Sequence, residues 1–142
     1  MQFFRQARHG LVRAILQISA WLARSEAREV WSRRFMRALA NGVIRRHQIR
    51  MATDLPDLGS QWQRAFPSAH DHPIVRVTDQ EVEAEIHTNC PLRGTGDAAA
   101  CHRMMEFDRH LVARAGGDFE VLESQAVTGG SRCRVVLRLR QP

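Results

Sequence analysis

The sequence predicts an α+β fold, a helical N-terminal half followed by a β-β-α-β-β antiparallel sheet domain. Three observations carry this reading. Apolar residues recur every three to four positions through the first half, and from about residue 74 the period becomes two. The period-two segments come as two pairs, each joined by a short turn-prone stretch. Between the pairs lies a helix-patterned segment opened by Thr95 or Asp97 and stopped by Gly116-Gly117.

Residues 3–23 place Phe4, Ala7, Leu11, Ala14 or Ile15, Ile18 and Leu22 at helical spacing. Ser25 is an N-cap for a second helix running to about Met51, with Glu26 and Glu29 favourable near its positive end. That helix is expected to bury Ala27, Val30, Trp31, Phe35, Leu39, Val43 and Ile44 and to turn its arginines outward, with Asn41-Gly42 as a weak point. Pro56 opens a short third helix carrying Trp62 and Phe66. Ile74–Thr78 and Val82–Thr88 then read as strands joined at Asp79-Gln80, with Val82, Ala84 and Ile86 on one face and Glu83, Glu85 and His87 on the other. After the central helix, Phe119–Val127 and Cys133–Arg140 form the second strand pair around a Gly129-Gly130 turn. Two hairpins with a helix between them imply an antiparallel sheet covered on one side. Residues 1–66 are thus a basic helical region that packs on, or dimerises with, a core formed by residues 67–142, the whole being one structural unit.

Charge is distributed unevenly. Residues 1–50 hold eleven Arg against Glu26 and Glu29, a net +9, whereas residues 51–142 hold ten Arg against thirteen acids, a net −3. The basic half is a candidate surface for an anionic membrane or an acidic partner. Residues 1–50 lack a helix-turn-helix pattern, which counts against nucleic acid. The first helix carries more apolar surface (Phe3, Phe4, Leu11, Ile15, Ile18, Trp21, Leu22) than a small core needs, which fits intramolecular packing or a homodimer through the N-terminal helices. Arg13 and Gln17 interrupt its apolar run, which is too short for a membrane span of ~20 apolar residues, and no small-x-small cleavage site follows. With three cysteines, an odd number, the chain reads as cytoplasmic and thiol-bearing rather than disulfide-stapled. The absence of Lys excludes a lysine Schiff base, and the absence of Tyr removes a common general acid.

The candidate chemistry centres on cysteine. Cys90 follows a strand end, Cys101 lies early in the central helix and Cys133 starts the last strand, so the three can converge at one end of the sheet. Cys101 and Asp108 are seven apart and nearly eclipsed on a helix, which places a carboxylate beside a thiol on an apolar stripe with Met104, Met105, Leu111, Val112 and Ala115. A buried carboxylate needs a partner, with Arg109, Arg114 or a backbone donor as candidates. His87, three residues before Cys90, is a candidate activating base. Arg93, in Arg93-Gly94-Thr95-Gly96 before a helix N-terminus, is a candidate clamp for a ligand carboxylate. His70 and His72 flank Asp71 in what reads as a solvated loop. No P-loop, Rossmann glycine pattern, GxSxG elbow or CxxC occurs, so no cofactor is expected; the alternative is zinc or an iron–sulfur cluster on Cys90, Cys101 and Cys133, with Asp97, Asp108 or a His as fourth ligand.

The residues Asn89-Cys90-Pro91-Leu92, Ala100-Cys101-His102 and Gly129-Gly130-Ser131-Arg132-Cys133 resemble the cysteine-marked core of the L-2-amino-thiazoline-4-carboxylic acid hydrolase-like family. In that family a similar core follows a helical half. Four-vinyl-reductase-type small-molecule-binding domains and the sensor domains of iron–sulfur-responsive repressors share the C-terminal layout. The likeness spans residues 74–140, with Asp108 matching the family's helix aspartate at a longer spacing from Cys101, and with no fourth cysteine. It implies a small-molecule-binding, hydrolase-like protein acting on a sulfur- and nitrogen-containing carboxylate. The resemblance then assigns Cys101 or Cys90 as nucleophile, Asp108 or His87 as base and Arg93 as clamp.

Overall fold

A computed structural model describes residues 2–141, and the side chains of Phe3 and Phe4 lie outside the described residues. Its elements, in chain order, are α1 (Gln2–Ala23), a 3-10 turn (Glu26–Arg28), α2 (Glu29–His47), α3 (Leu55–Gln63), β1 (Ile74–Val77), β2 (Val82–Ile86), α4 (Ala98–Met104), α5 (Glu106–Arg114), β3 (Gly117–Glu123), α6 (Gln125–Thr128) and β4 (Cys133–Leu139). The four strands form one antiparallel sheet in the order β1-β2-β4-β3. The chain is therefore α+β, with its long helices in the N-terminal half.

Alternation explains the sheet. Val82, Ala84 and Ile86 pair with Leu137, Val135 and Cys133 across β2 and β4, and Phe119 pairs with Leu137 across β3 and β4. These inward residues share one core with Ile44, Leu58, Trp62, Leu111 and Val112. The core thus draws on both halves of the chain. Among the described residues no helix covers the opposite face of the sheet. There Arg76 pairs with Glu83, Arg138 with Glu81 (2.9 Å) and Glu120 (2.7 Å), and Arg134 with Glu123 (3.3 Å). Such exposed pairs contribute little individually but keep an open sheet face charged.

The helical half departs from the expected pattern in three places. Ser25 precedes the 3-10 turn and makes no side-chain cap, so α2 begins only at Glu29. Its buried stripe is Ser32, Met36, Ala40 and Ile44, rotated from the predicted one, which leaves Ala27, Val30 and Trp31 exposed. The helix runs through Asn41-Gly42 unbroken and ends at His47, where Gln48 takes a left-handed conformation (φ 52°). In α1 only the C-terminal end is buried, at Ser19, Ala20 and Ala23. Of the two expectations for its apolar residues, packing inside the chain or a homodimer, the first holds for this end alone, which packs on α2 and α4.

Asp54 caps α3 by accepting from the Asp57 N–H at 2.9 Å, with proline in the first turn. Asp57 in turn accepts from the Thr53 N–H, Gln61 and Arg50, and these bonds, the Thr53 backbone first, hold its carboxyl well below the usual carboxylate range. The linker between α2 and α3 is thereby locked, and Trp62 is placed, fully buried, against the sheet. Asp97 caps α4 by accepting from Ala100 N–H at 2.9 Å.

The C-terminal half also differs in two details. The central helix is bent at Met105 (ψ 0°) into α4 and α5, although the Met105→Cys101 and Arg109→Met105 backbone bonds persist at 3.0 Å. The strand expected over Phe119–Val127 stops at Glu123. Ser124 then caps a single turn, α6, by accepting from Val127 N–H, and Gly129 closes it at φ 70°. No helix among the described residues is long and apolar enough to cross a membrane.

Candidate functional site

A groove of about 440 Å³ opens between α4 and α5 on one side and β3 with α6 on the other. Its apolar surface comes from Met105, Phe119, Val121 and Val127, and its polar groups from Cys101, His102, Arg109, Ser124 and Thr128, with Glu120 and Glu123, paired to Arg138 and Arg134, at its β3 side. Six consecutive residues, 119–124, line it. They do so because β3 is the sheet's edge strand, whose second edge has no strand partner. An edge strand presents outward-facing backbone N–H and C=O groups, so the groove offers hydrogen bonds as well as apolar contact.

Arg109 is held at this groove by two acceptors. Its Nη2 donates to the His102 carbonyl at 2.6 Å and to Glu106 Oε2 at 3.0 Å, and its Nε donates to the same carboxylate at 3.2 Å. Glu106 also accepts from Arg37 Nε at 2.8 Å. Glu106 thus bridges two guanidinium groups, which offset its burial and hold it below its usual range.

The three thiols lie near one another but do not form the expected catalytic set. Burial pushes Cys101 up to about 11; the Ser124 hydroxyl beside it favours the thiolate, while Cys133 and Cys90 nearby disfavour it. Burial likewise raises Cys90 and Cys133. Cys90 Sγ accepts from Leu92 N–H and Cys133 Sγ from Gln125 N–H, each at 3.4 Å. A thiol reacts through its thiolate, so all three are resting, protonated groups at neutral pH. The zinc or iron–sulfur alternative is a question of geometry, since a bound metal would itself deprotonate a thiol. Among the described residues no cluster of three or more His, Cys, Asp and Glu side chains is arranged to hold a metal. Asp97, one candidate fourth ligand, is engaged as the cap of α4.

A direct consequence can be measured. At pH 7.5 the native chain should yield roughly one thiol or fewer to an aromatic disulfide reagent within minutes, Cys90 first, and the full complement in guanidinium. A thiol that reacts at once in the native chain would show a lowered pKa and revive Cys101 or Cys90 as nucleophile.

Asp108 does not line the groove with Cys101. Seven residues nearly eclipse two side chains in angle but separate them by about 10 Å of rise, so they enter different layers. Cys101 packs with Ala20, Leu92, Ala100, Met104 and Ala126. Asp108 is buried against α3, where its Oδ1 accepts from Trp62 Nε1 at 2.9 Å. Its side-chain partner is an indole rather than Arg109 or Arg114, and of the expected candidates a backbone donor, its own N–H, also favours the carboxylate. Burial lifts its carboxyl to about 6, with the Trp62 bond and nearby Arg109 pulling the other way.

His87 is also placed elsewhere. It is exposed on the outer side of the sheet, with Nε2 2.7 Å from Glu85 Oε2, so it faces away from the groove. Arg93 donates from Nε to the Gly129 carbonyl at 2.9 Å, and Gly94 and Gly96 N–H bond to Gln125 and Ala126 carbonyls. The glycine-bearing loop is thus tied to α6, and the α4 terminus it precedes is filled by Asp97. His72, read as a loop residue, is buried. It stacks on Phe66 with 3.7 Å between ring centroids, and its Nδ1 lies 3.1 Å from the Ser68 carbonyl. A carbonyl only accepts, so Nδ1 carries the hydrogen, and burial lowers the ring's pKa.

The residues that sequence reasoning missed are Arg109 as a groove residue, Met105, Ser124 and Gln125. Gln125 is buried; its Oε1 accepts from Cys90 N–H at 3.1 Å and its Nε2 donates to the Thr88 carbonyl at 2.9 Å. A signal for this was present. Ser124 followed by Gly129 is a one-turn helix with a cap and a left-handed stop, hidden inside what reads as period two. No protein-family model, curated protein or solved structure matches the chain.

Proposed function

We propose that the chain is a small-molecule-binding domain whose ligand, a compact carboxylate with an apolar, heteroatom-bearing body, is seated in the groove between α4, α5 and the free edge of β3. The observation that carries the reading is the juxtaposition of Arg109 with that edge strand around an apolar lining. Arg109 has two of its nitrogens committed to Glu106 and His102, and Nη1 is left as the donor for an anionic group. The unpaired backbone of β3 suits an amide- or amidine-like ring, and Met105, Phe119 and Val121 suit its apolar part. Polar groups that fix orientation within a mostly apolar recess are the usual composition of a ligand site.

The resemblance of the cysteine segments supplies a candidate compound class, the 2-amino-thiazoline carboxylates. Binding without covalent turnover is the form of the proposal that the protonated state of Cys101 supports. Titration of the full chain with 2-amino-thiazoline-4-carboxylate, followed by calorimetry, should show saturable binding that weakens when the carboxylate is replaced by a neutral amide. Arg109→Ala should weaken it about tenfold to a hundredfold, the size of a lost charged hydrogen bond. Ala98→Trp, at an exposed position on the groove, should block it without unfolding the chain. Absence of saturable binding, or binding indifferent to both substitutions, would overturn the proposal; ring opening lost in Cys101→Ser would replace it with the hydrolytic reading.

A further inference from the structure

The groove makes no use of the apolar stripe of α1. Ala7, Leu11, Ala14, Ile18 and Trp21 recur at four- and three-residue steps and so share one side of the helix. The helix packs by another side, through Ser19, Ala20 and Ala23. Leu11, Ile18 and Trp21 are consequently 63%, 48% and 57% exposed. At its C-terminal end the stripe continues into a shallow apolar recess of about 610 Å³ lined by Trp21, Leu22, Arg28, Trp31, Arg34 and Phe35. Two guanidinium groups lie over the exposed rings there, Arg28 at 4.2 Å from Trp21 and Arg34 at 5.5 Å from Trp31.

We propose that this face docks on an anionic lipid surface, with α1 lying in the interface. Charge selects the occupant. Residues 1–25 contain Arg5, Arg8, Arg13 and Arg24 and no acid, and residues 1–50 carry a net +9. The spacing of the stripe would also fit a second copy, but a symmetric pair would bring two such basic halves together. Anionic headgroups neutralise them instead. Tryptophan beside arginine suits the boundary layer, because the ring buries its apolar body while the guanidinium stays with the phosphates. The helix cannot span the bilayer, so its apolar side goes in only to headgroup depth.

The test is co-sedimentation of the full chain with vesicles of phosphatidylcholine alone or with one quarter phosphatidylglycerol, read alongside tryptophan emission. Trp62 is fully buried, so a blue shift on binding reports Trp21 and Trp31. Partition into the anionic vesicles is expected, with a drop of about tenfold or more between 0.1 M and 0.5 M salt. Leu11→Glu and Ile18→Glu, both at exposed sites, should each lower partition at least about tenfold with an unchanged melting profile. Ala98→Trp, which fills the groove on another part of the molecule, should leave partition unchanged, so this result is independent of ligand binding. No partition into anionic vesicles, or equal partition into neutral ones, would overturn the proposal. So would a stable dimer in sedimentation analysis that Ile18→Glu converts to monomer, since a second copy would then cover the stripe.

Discussion

Trp62→Phe is expected to cost about 2–4 kcal/mol of stability at pH 8 and clearly less at pH 4.5. The fully buried indole fills the space between α3 and the sheet, and its N–H is the side-chain donor to the buried carboxylate of Asp108. The pH dependence comes from that carboxylate. An aspartate ordinarily titrates near 4, and burial lifts Asp108 to about 6. Between those values the folded chain holds a proton that the unfolded chain has released, so stability falls as pH rises through the window and stays lower above it. The full effect is at most about 3 kcal/mol. Asp108→Asn keeps an oxygen for the indole and removes the charge. It should therefore be more stable than the parent at pH 8, by up to that amount, and equal to it near pH 4. His72 contributes the opposite slope: burial lowers its pKa, so stability falls as pH drops below about 6.5. The difference between parent and Asp108→Asn in urea unfolding across this range isolates the carboxylate. If the asparagine variant gains nothing at pH 8, or the gap persists at pH 4, Asp108 is not a buried-charge liability and a functional role regains weight.

Gln125→Ala should cost about 2–5 kcal/mol, large for one uncharged side chain. It leaves the Cys90 N–H and the Thr88 carbonyl without their partner, and with them the weaker bond to Ile86. The Cys90 end of the loop would then lose its side-chain tie to α6, with only the Arg93, Gly94 and Gly96 bonds left, and both Cys90 and Cys133 should react faster with a thiol reagent. Gln125→Glu separates shape from hydrogen bonding. At pH 7 its carboxylate would face two carbonyl oxygens in place of a donor, so the variant should be strongly destabilised despite its unchanged size. Near pH 4 the protonated acid can donate, and part of the loss should return. Equal stability of Gln125→Glu and parent at pH 7 would show that this side chain is not the tie between β2, the Cys90 loop and α6.

The fold was legible because its signals are local. Strands over Val82–Thr88 and Cys133–Arg140, a helix opened by Thr95 or Asp97 and a stop at Gly116-Gly117 each need only neighbouring residues; the strands end slightly earlier, at Ile86 and Leu139, Asp97 is the cap and Gly116 (φ 84°) the left-handed stop. Errors began where two local signals overlapped. Ser124 to Gly129 reads both as the end of a strand and as a capped turn, and in the turn the buried Gln125 side chain satisfies three backbone groups between Ile86 and Cys90. In α2 the buried stripe is rotated from the apolar one: Trp31 is apolar but exposed and Ser32 is polar but buried.

The candidate site was much less legible, since it depends on which face of one element meets which face of another. Helical spacing correctly put Cys101 and Asp108 on one angular stripe. It carried no information on the depth along the helix at which α3 delivers Trp62 to one and α6 delivers Ser124 to the other. His87, Arg93 and Asp97 have side chains capable of the chemistry expected of them, but each is engaged by a nearby structural partner: Glu85, the Gly129 carbonyl and the α4 terminus. Composition and periodicity established the layers, the thiol positions and the +9 basic half, because these follow from chain order alone. Packing decided that Arg109 rather than Arg93 faces the groove and that the α1 stripe is left uncovered, because both follow from contacts between residues far apart in the chain.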